Sequence, residues 1–139
     1  MMLNKVLVVD DSALIHQMYH LVLARYRCQV LDAKNGQEAL DILAQQDDVQ
    51  LVLLDINMPV MNGVQFLEKA AALGITERVP VVIVSTEGKE ADTVQGLKLG
   101  ANGYLTKPFT PSQLHEVIVK VLQASETCVE QVKETALER

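Results

Sequence analysis

A chain of 139 residues, 49% hydrophobic and 22% charged, has the size and balance of one compact domain with its own core. Its net charge of −6, from 12 basic and 18 acidic residues, argues against direct nucleic-acid binding, which needs a basic footprint. The apolar runs are too short to span a bilayer, and Met1-Met2-Leu3-Asn4-Lys5 enters the first of them too soon and too briefly for a secretory signal, so a cytoplasmic protein without membrane attachment is expected.

The first of these runs, Val6–Val9, predicts a strand that ends at the acidic pair Asp10-Asp11. Leu14, Met18, Leu21 and Val22 recur at helical spacing and predict a first helix with those residues on its buried face. A second strand follows at Gln29–Leu31. Asn35, with Glu38 three residues on, reads as the capped start of a second helix carrying Ala39, Leu40 and Leu43. Leu51–Leu54 is the third strand, ending at Asp55. Asn62 and Gln65 repeat the capping pattern before Phe66, Leu67 and Ala70, and Gly74 is the expected stop of that helix. Val81–Val84 is the fourth strand, ending at Ser85. The fourth helix, about Lys89 to Leu99, is weakly written because Gly96 lies inside it, and Gly88 and Gly96 together predict a mobile segment. Tyr104-Leu105 forms a fifth strand, with Lys107 just beyond. Thr110, Pro111 and Gln113 then open the last helix, whose apolar face is Leu114, Val117, Ile118, Val121 and Leu122. Cys28 and Cys128 are expected to be reduced thiols.

Five short, continuously apolar strands alternating with five helices predict an α/β fold: a doubly wound parallel sheet with helices on both faces. All strands of such a sheet point one way, so the residues that follow them share one edge. Asp10, Asp11, Asp55, Ser85 and Lys107 are those residues. Each alone has a plain explanation: a helix cap for the acidic pair or for Ser85, a turn former for Asp55, a solvated lysine for Lys107. Their coincidence at four strand ends points to a site. Three clustered carboxylates repel unless they take up protons or a cation, and hard oxygen donors favour Mg²⁺. With a metal and an ammonium to neutralise incoming oxygens, a carboxylate is a competent nucleophile toward phosphorus.

These segments resemble the receiver domain of bacterial two-component response regulators, of the compact CheY-like type. The resemblance rests on Val6–Ser12, Leu53–Gly63, Val84–Glu87 and Gly103–Phe109 as a spaced set, and it covers residues from about 4 to 123. It implies a flavodoxin-like fold with strand order 2-1-3-4-5. It also implies a phosphoryl group accepted on Asp55 from a histidine kinase or phosphotransfer protein. Mg²⁺ would be held by Asp10, Asp11, Asp55 and the backbone carbonyl of Asn57. Lys107 would contact a phosphoryl oxygen, with a cis bond to Pro108. Ser85 would move toward the phosphoryl group and Tyr104 would follow. A downstream protein target would dock on the face made by the fourth helix, fifth strand and fifth helix. Asn57 and Glu87 stand where the family tunes phosphate lifetime, and Thr86 is larger than the residue often found beside the switch hydroxyl.

A phosphohydrolase of the haloacid dehalogenase type is the rival enzyme, but it needs a second aspartate two residues past the nucleophile, where this chain has Asn57. A receiver-like module that no longer takes phosphate would be expected to lack Asp55, the acidic pair or Lys107, all of which are present. The domain is expected to span residues 1–124, with 125–139 a helical extension or tail. There Glu126, Glu130, Glu134 and Glu138 recur every fourth residue, consistent with a frayed helix, a dimer contact, or a lead into an output domain of a larger regulator.

Overall fold

The computed structural model describes residues 3–58, 61–86 and 88–123. Five strands, β1 (Lys5–Val9), β2 (Gln29–Ala33), β3 (Leu51–Asp55), β4 (Val81–Thr86) and β5 (Gly103–Lys107), form one parallel sheet in the order β2-β1-β3-β4-β5. The order expected from the resemblance is the order observed. Around the sheet lie α1 (Ala13–Leu23), α2 (Gly36–Gln45), α3 (Gly63–Ala72), α4 (Ile75–Arg78), α5 (Glu90–Lys98) and α6, described over residues 111–123.

The unbroken apolar runs of the strands follow from burial on both sheet faces. In β1, Leu7 and Val9 point into one core with Val52, Leu54, Phe66, Leu67 and Leu43, while Val6 and Val8 point into another with Leu51, Leu53, Tyr19, Leu114 and Ile118. Alternation therefore survives, but both faces need hydrocarbon. Each fully buried leucine or phenylalanine side chain contributes about 1.5–3 kcal/mol relative to exposure.

The expected helix starts are present as side-chain caps, two of them reciprocal. Asn35 accepts from the Glu38 amide, and Asn62 and Gln65 form a complete capping box. Thr110 Oγ1 accepts from the Gln113 amide at 3.1 Å, and the Gln113 side chain accepts from the Thr110 amide at 2.9 Å. Gly74, in the left-handed region at φ 77°, stops α3 as expected. The four-residue helix α4 that follows it adds a sixth helix to the five read from the sequence.

One expectation needs correction. Leu14 and Leu21 are 73% and 80% exposed, so they do not share the buried face of α1. This helix carries apolar residues around most of its circumference, and several stripes fit its spacing equally well. Tyr19 decides the rotation: its ring packs on Phe109 at 5.9 Å between centroids, and Ile15 and Leu23 join the expected Met18 and Val22 on the packed face. At Gly96, a Cβ would lie 2.3 Å from Ile83 Cδ1, so this glycine lets α5 lie close against β4. Glu87, Cys128 and the tail from 125 to 139 lie outside the described residues. Cys28 is half-buried, and burial pushes its thiol pKa up.

Candidate functional site

β1 and β3 are neighbours, and each ends in a carboxylate that leaves the sheet on the same edge. Both carboxylates are held by the amide two residues on. Asp10 Oδ1 accepts from the Ser12 amide at 2.9 Å, and Asp55 Oδ1 from the Asn57 amide at 3.1 Å. This local turn, open to aspartate because of its short side chain, aims the second oxygen of each group into the crevice. Ser12 serves twice, since its hydroxyl also caps α1.

Asp10 and Asp55 are buried and Asp11 is exposed, and each offers an oxygen within 4.8 Å of the other two. Lys107, arriving from the end of β5, places Nζ 3.0 Å from Asp10 Oδ2 and 3.7 Å from Asp55 Oδ2. Three carboxylates against one ammonium leave an excess of negative charge. Burial pushes the Asp55 pKa up to about 6; repulsion from Asp10 and Asp11 adds to the rise, against the Asn57 amide and the Lys107 ammonium. Oxygen-only donors, clustered and under-neutralised, suit a hard divalent cation. The donor set therefore fits the metal expected from the sequence.

The sequence-predicted residues are not all engaged with the carboxylates. Asp10, Asp11, Asp55 and Lys107 converge. Asn57 contributes its amide to Asp55. Ser85 is buried near the end of β4, one residue past Val84, which is in register with Asp55. Its hydroxyl partner among the described residues is Thr93 on α5, with the two oxygens 3.2 Å apart. Tyr104, in register with Ile83, is 56% exposed and turned outward. Beside it lies a cavity of about 210 Å³ lined by Ser85, Thr93, Val94, Leu97 and Thr106. The Lys107–Pro108 peptide is cis.

Sequence reasoning missed three supports of the site. Thr93 is one. Another is His16, whose Nε2 contacts the Asp10 carbonyl and whose Nδ1 contacts Asp32, both at 2.6 Å. Asp32 also meets His20, one helical turn further along α1, at 2.8 Å. The i, i+4 spacing of the two histidines was visible, but nothing in it identified the strand carboxylate they share. The third is Tyr19, buried behind the acidic cluster, whose pKa is raised by burial and by the Asp10 and Asp55 charges, which keeps its phenol neutral.

The response regulator receiver domain model matches residues 6–119. The chemotaxis protein CheY homolog of Campylobacter jejuni is 41% identical over 119 residues, covering 85% of this chain and 92% of its own. The transcriptional regulatory protein CpxR of Escherichia coli is 38% identical over 123 residues, which are 88% of this chain but 51% of CpxR. Among solved structures, Vibrio cholerae chemotaxis protein CheY4 superposes with a TM-score of 0.77 at 33% identity, covering 86% of this chain and 98% of that one.

Proposed function

The chain belongs to the response regulator receiver domain family, and on that premise we propose that it is a phosphorylation switch whose acceptor is Asp55. The single observation that carries this reading is the convergence of Asp10, Asp11, Asp55 and Lys107 at the ends of β1, β3 and β5. Asp55 is assigned as the nucleophile because it stands where the resembled family carries its acceptor, at the end of β3, and the geometry is compatible with that: its carboxylate is held by the Asn57 amide and lies 3.7 Å from the Lys107 ammonium. A carboxylate oxygen attacks phosphorus, and the bond to the donor, the imidazole nitrogen of a phosphohistidine, breaks.

Mg²⁺, held by Asp10, Asp11, Asp55 and the Asn57 carbonyl, would supply charge neutralisation for the phosphoryl oxygens. Lys107 is within a short side-chain movement of an oxygen on Asp55 and would trade its contact with Asp10 for one with the phosphoryl group. Ser85 would reorient toward the same group. Tyr104 would then turn into the adjacent cavity, altering the face formed by α5, β5 and α6. That face is the proposed docking surface for a downstream protein target, and phosphorylation-linked homodimerisation, expected through the extension beyond 124, is to be tested by sedimentation with and without beryllofluoride. The phosphodonor is a sensor histidine kinase or phosphotransfer protein, and the chain acts in the cytoplasm as a signalling domain; its only chemistry would be self-phosphorylation from small donors and slow self-dephosphorylation.

Residues 1–124 form the receiver in this reading, with 125–139 as an extension of a standalone regulator. The match to half of CpxR supports an alternative, a receiver joined to a separate output domain. Incubation with acetyl phosphate and Mg²⁺ followed by peptide mass spectrometry tests the central assignment. Label is expected on Asp55 and absent without Mg²⁺. Label that persists in Asp55→Ala would overturn it.

A further inference from the structure

Ser85 and Thr93 are both buried, and their hydroxyl oxygens lie 3.2 Å apart, bridging β4 to α5. Thr93 Oγ1 also lies 3.1 Å from the Lys89 carbonyl, one turn back on its own helix. A hydroxyl carries one proton and two lone pairs. Thr93 cannot give its proton fully to Ser85 and to Lys89 at once. The Lys89 carbonyl also accepts from the Thr93 amide at 3.0 Å, but only one order places both hydroxyl protons among the described residues: Thr93 donates to the Lys89 carbonyl, the usual i−4 bond of a helical threonine, and Ser85 donates to Thr93, whereas the reverse leaves the Ser85 proton without a described acceptor. The Ser85 proton is then committed to α5.

From this we infer that Thr93 is a positioning residue that latches the Ser85 hydroxyl away from the acceptor carboxylate and releases α5 when that hydroxyl turns to the phosphoryl group. The inference rests on the phosphoacceptor reading and adds to it a direct link between Ser85 and the helix of the docking face. The single Ser85 proton serves either the phosphoryl oxygen or Thr93, not both. Occupying one partner therefore vacates the other. Thr93 keeps its bond to Lys89 in both states, so the Ser85 contact alone differs between them. The latch favours the unphosphorylated state, and its removal should favour the phosphorylated one.

Beryllofluoride binding at fixed Mg²⁺, measured calorimetrically, tests this with Thr93→Val, which keeps the shape and removes the hydroxyl. One lost hydrogen bond in the resting state predicts binding about fivefold tighter than wild type. Thr93→Ser should restore the wild-type affinity. In a Ser85→Ala background the Thr93→Val change should have no effect, because the bond it deletes is already gone. Unchanged or weaker binding by Thr93→Val, or the same tightening in the Ser85→Ala background, would overturn the latch while leaving the acceptor assignment intact. Wild-type protein that binds no beryllofluoride would overturn the acceptor assignment and the latch with it.

Discussion

Replacing Asp55 by asparagine should stabilise the metal-free protein at neutral and alkaline pH. The carboxyl pKa rises from 3.8 to about 6 on folding, chiefly through burial. The folded chain therefore holds more proton than the unfolded chain between about pH 4 and pH 6. The resulting penalty is fully present above about pH 6 and fades as pH falls toward 4. Two pKa units correspond to about 3 kcal/mol, and the open mouth of the site reduces that to about 1–2 kcal/mol after solvent screening. Asparagine keeps an oxygen for the Asn57 amide and removes the charge. Urea unfolding in EDTA, followed by far-ultraviolet circular dichroism, should show Asp55→Asn more stable by about 1–2 kcal/mol at pH 8, or about 3–8 °C in melting temperature. The gain should vanish near pH 4. Equal stability at pH 8, or a gain that does not change with pH, would refute the claim that a destabilised carboxylate sits there.

Lys107→Met removes the cation that opposes the upward shift of Asp55. A carboxyl-carbon NMR titration should place the Asp55 pKa above about 6 in that variant, and an unmoved value would show that the ammonium is not felt. Gly63→Ala would put a Cβ 2.7 Å from the Ile56 Cα, beside the loop that follows Asp55. Because the obstacle is backbone, a net loss of about 1–3 kcal/mol is expected in urea unfolding despite the better helix propensity of alanine. Thr110→Ala deletes the oxygen that accepts from the Gln113 amide and should cost about 1 kcal/mol in thermal unfolding. No loss would mean that α6 is held by its packed face alone.

The order of elements and the contents of the reactive edge were legible in the chain. Val6–Val9, Leu51–Leu54 and Val81–Val84 could only be strands buried on both faces, and Asn35, Asn62 and Thr110 marked helix starts by side-chain chemistry that acts over three residues. Parallel strands share a direction, so Asp10, Asp55 and Lys107 had to emerge together. What lay beyond reach depended on helix rotation and on contacts between distant segments. The apolar residues of α1 fit several buried stripes, and only the packing of Tyr19 on Phe109 selected one. The hydroxyl of Ser85 meets Thr93 because Gly96 lets α5 approach β4 closely, and His16 finds Asp32 because β2 lies beside β1. Local spacing determined which groups reach the edge; the rotation of each helix and its distance from the sheet decided which partners they meet there.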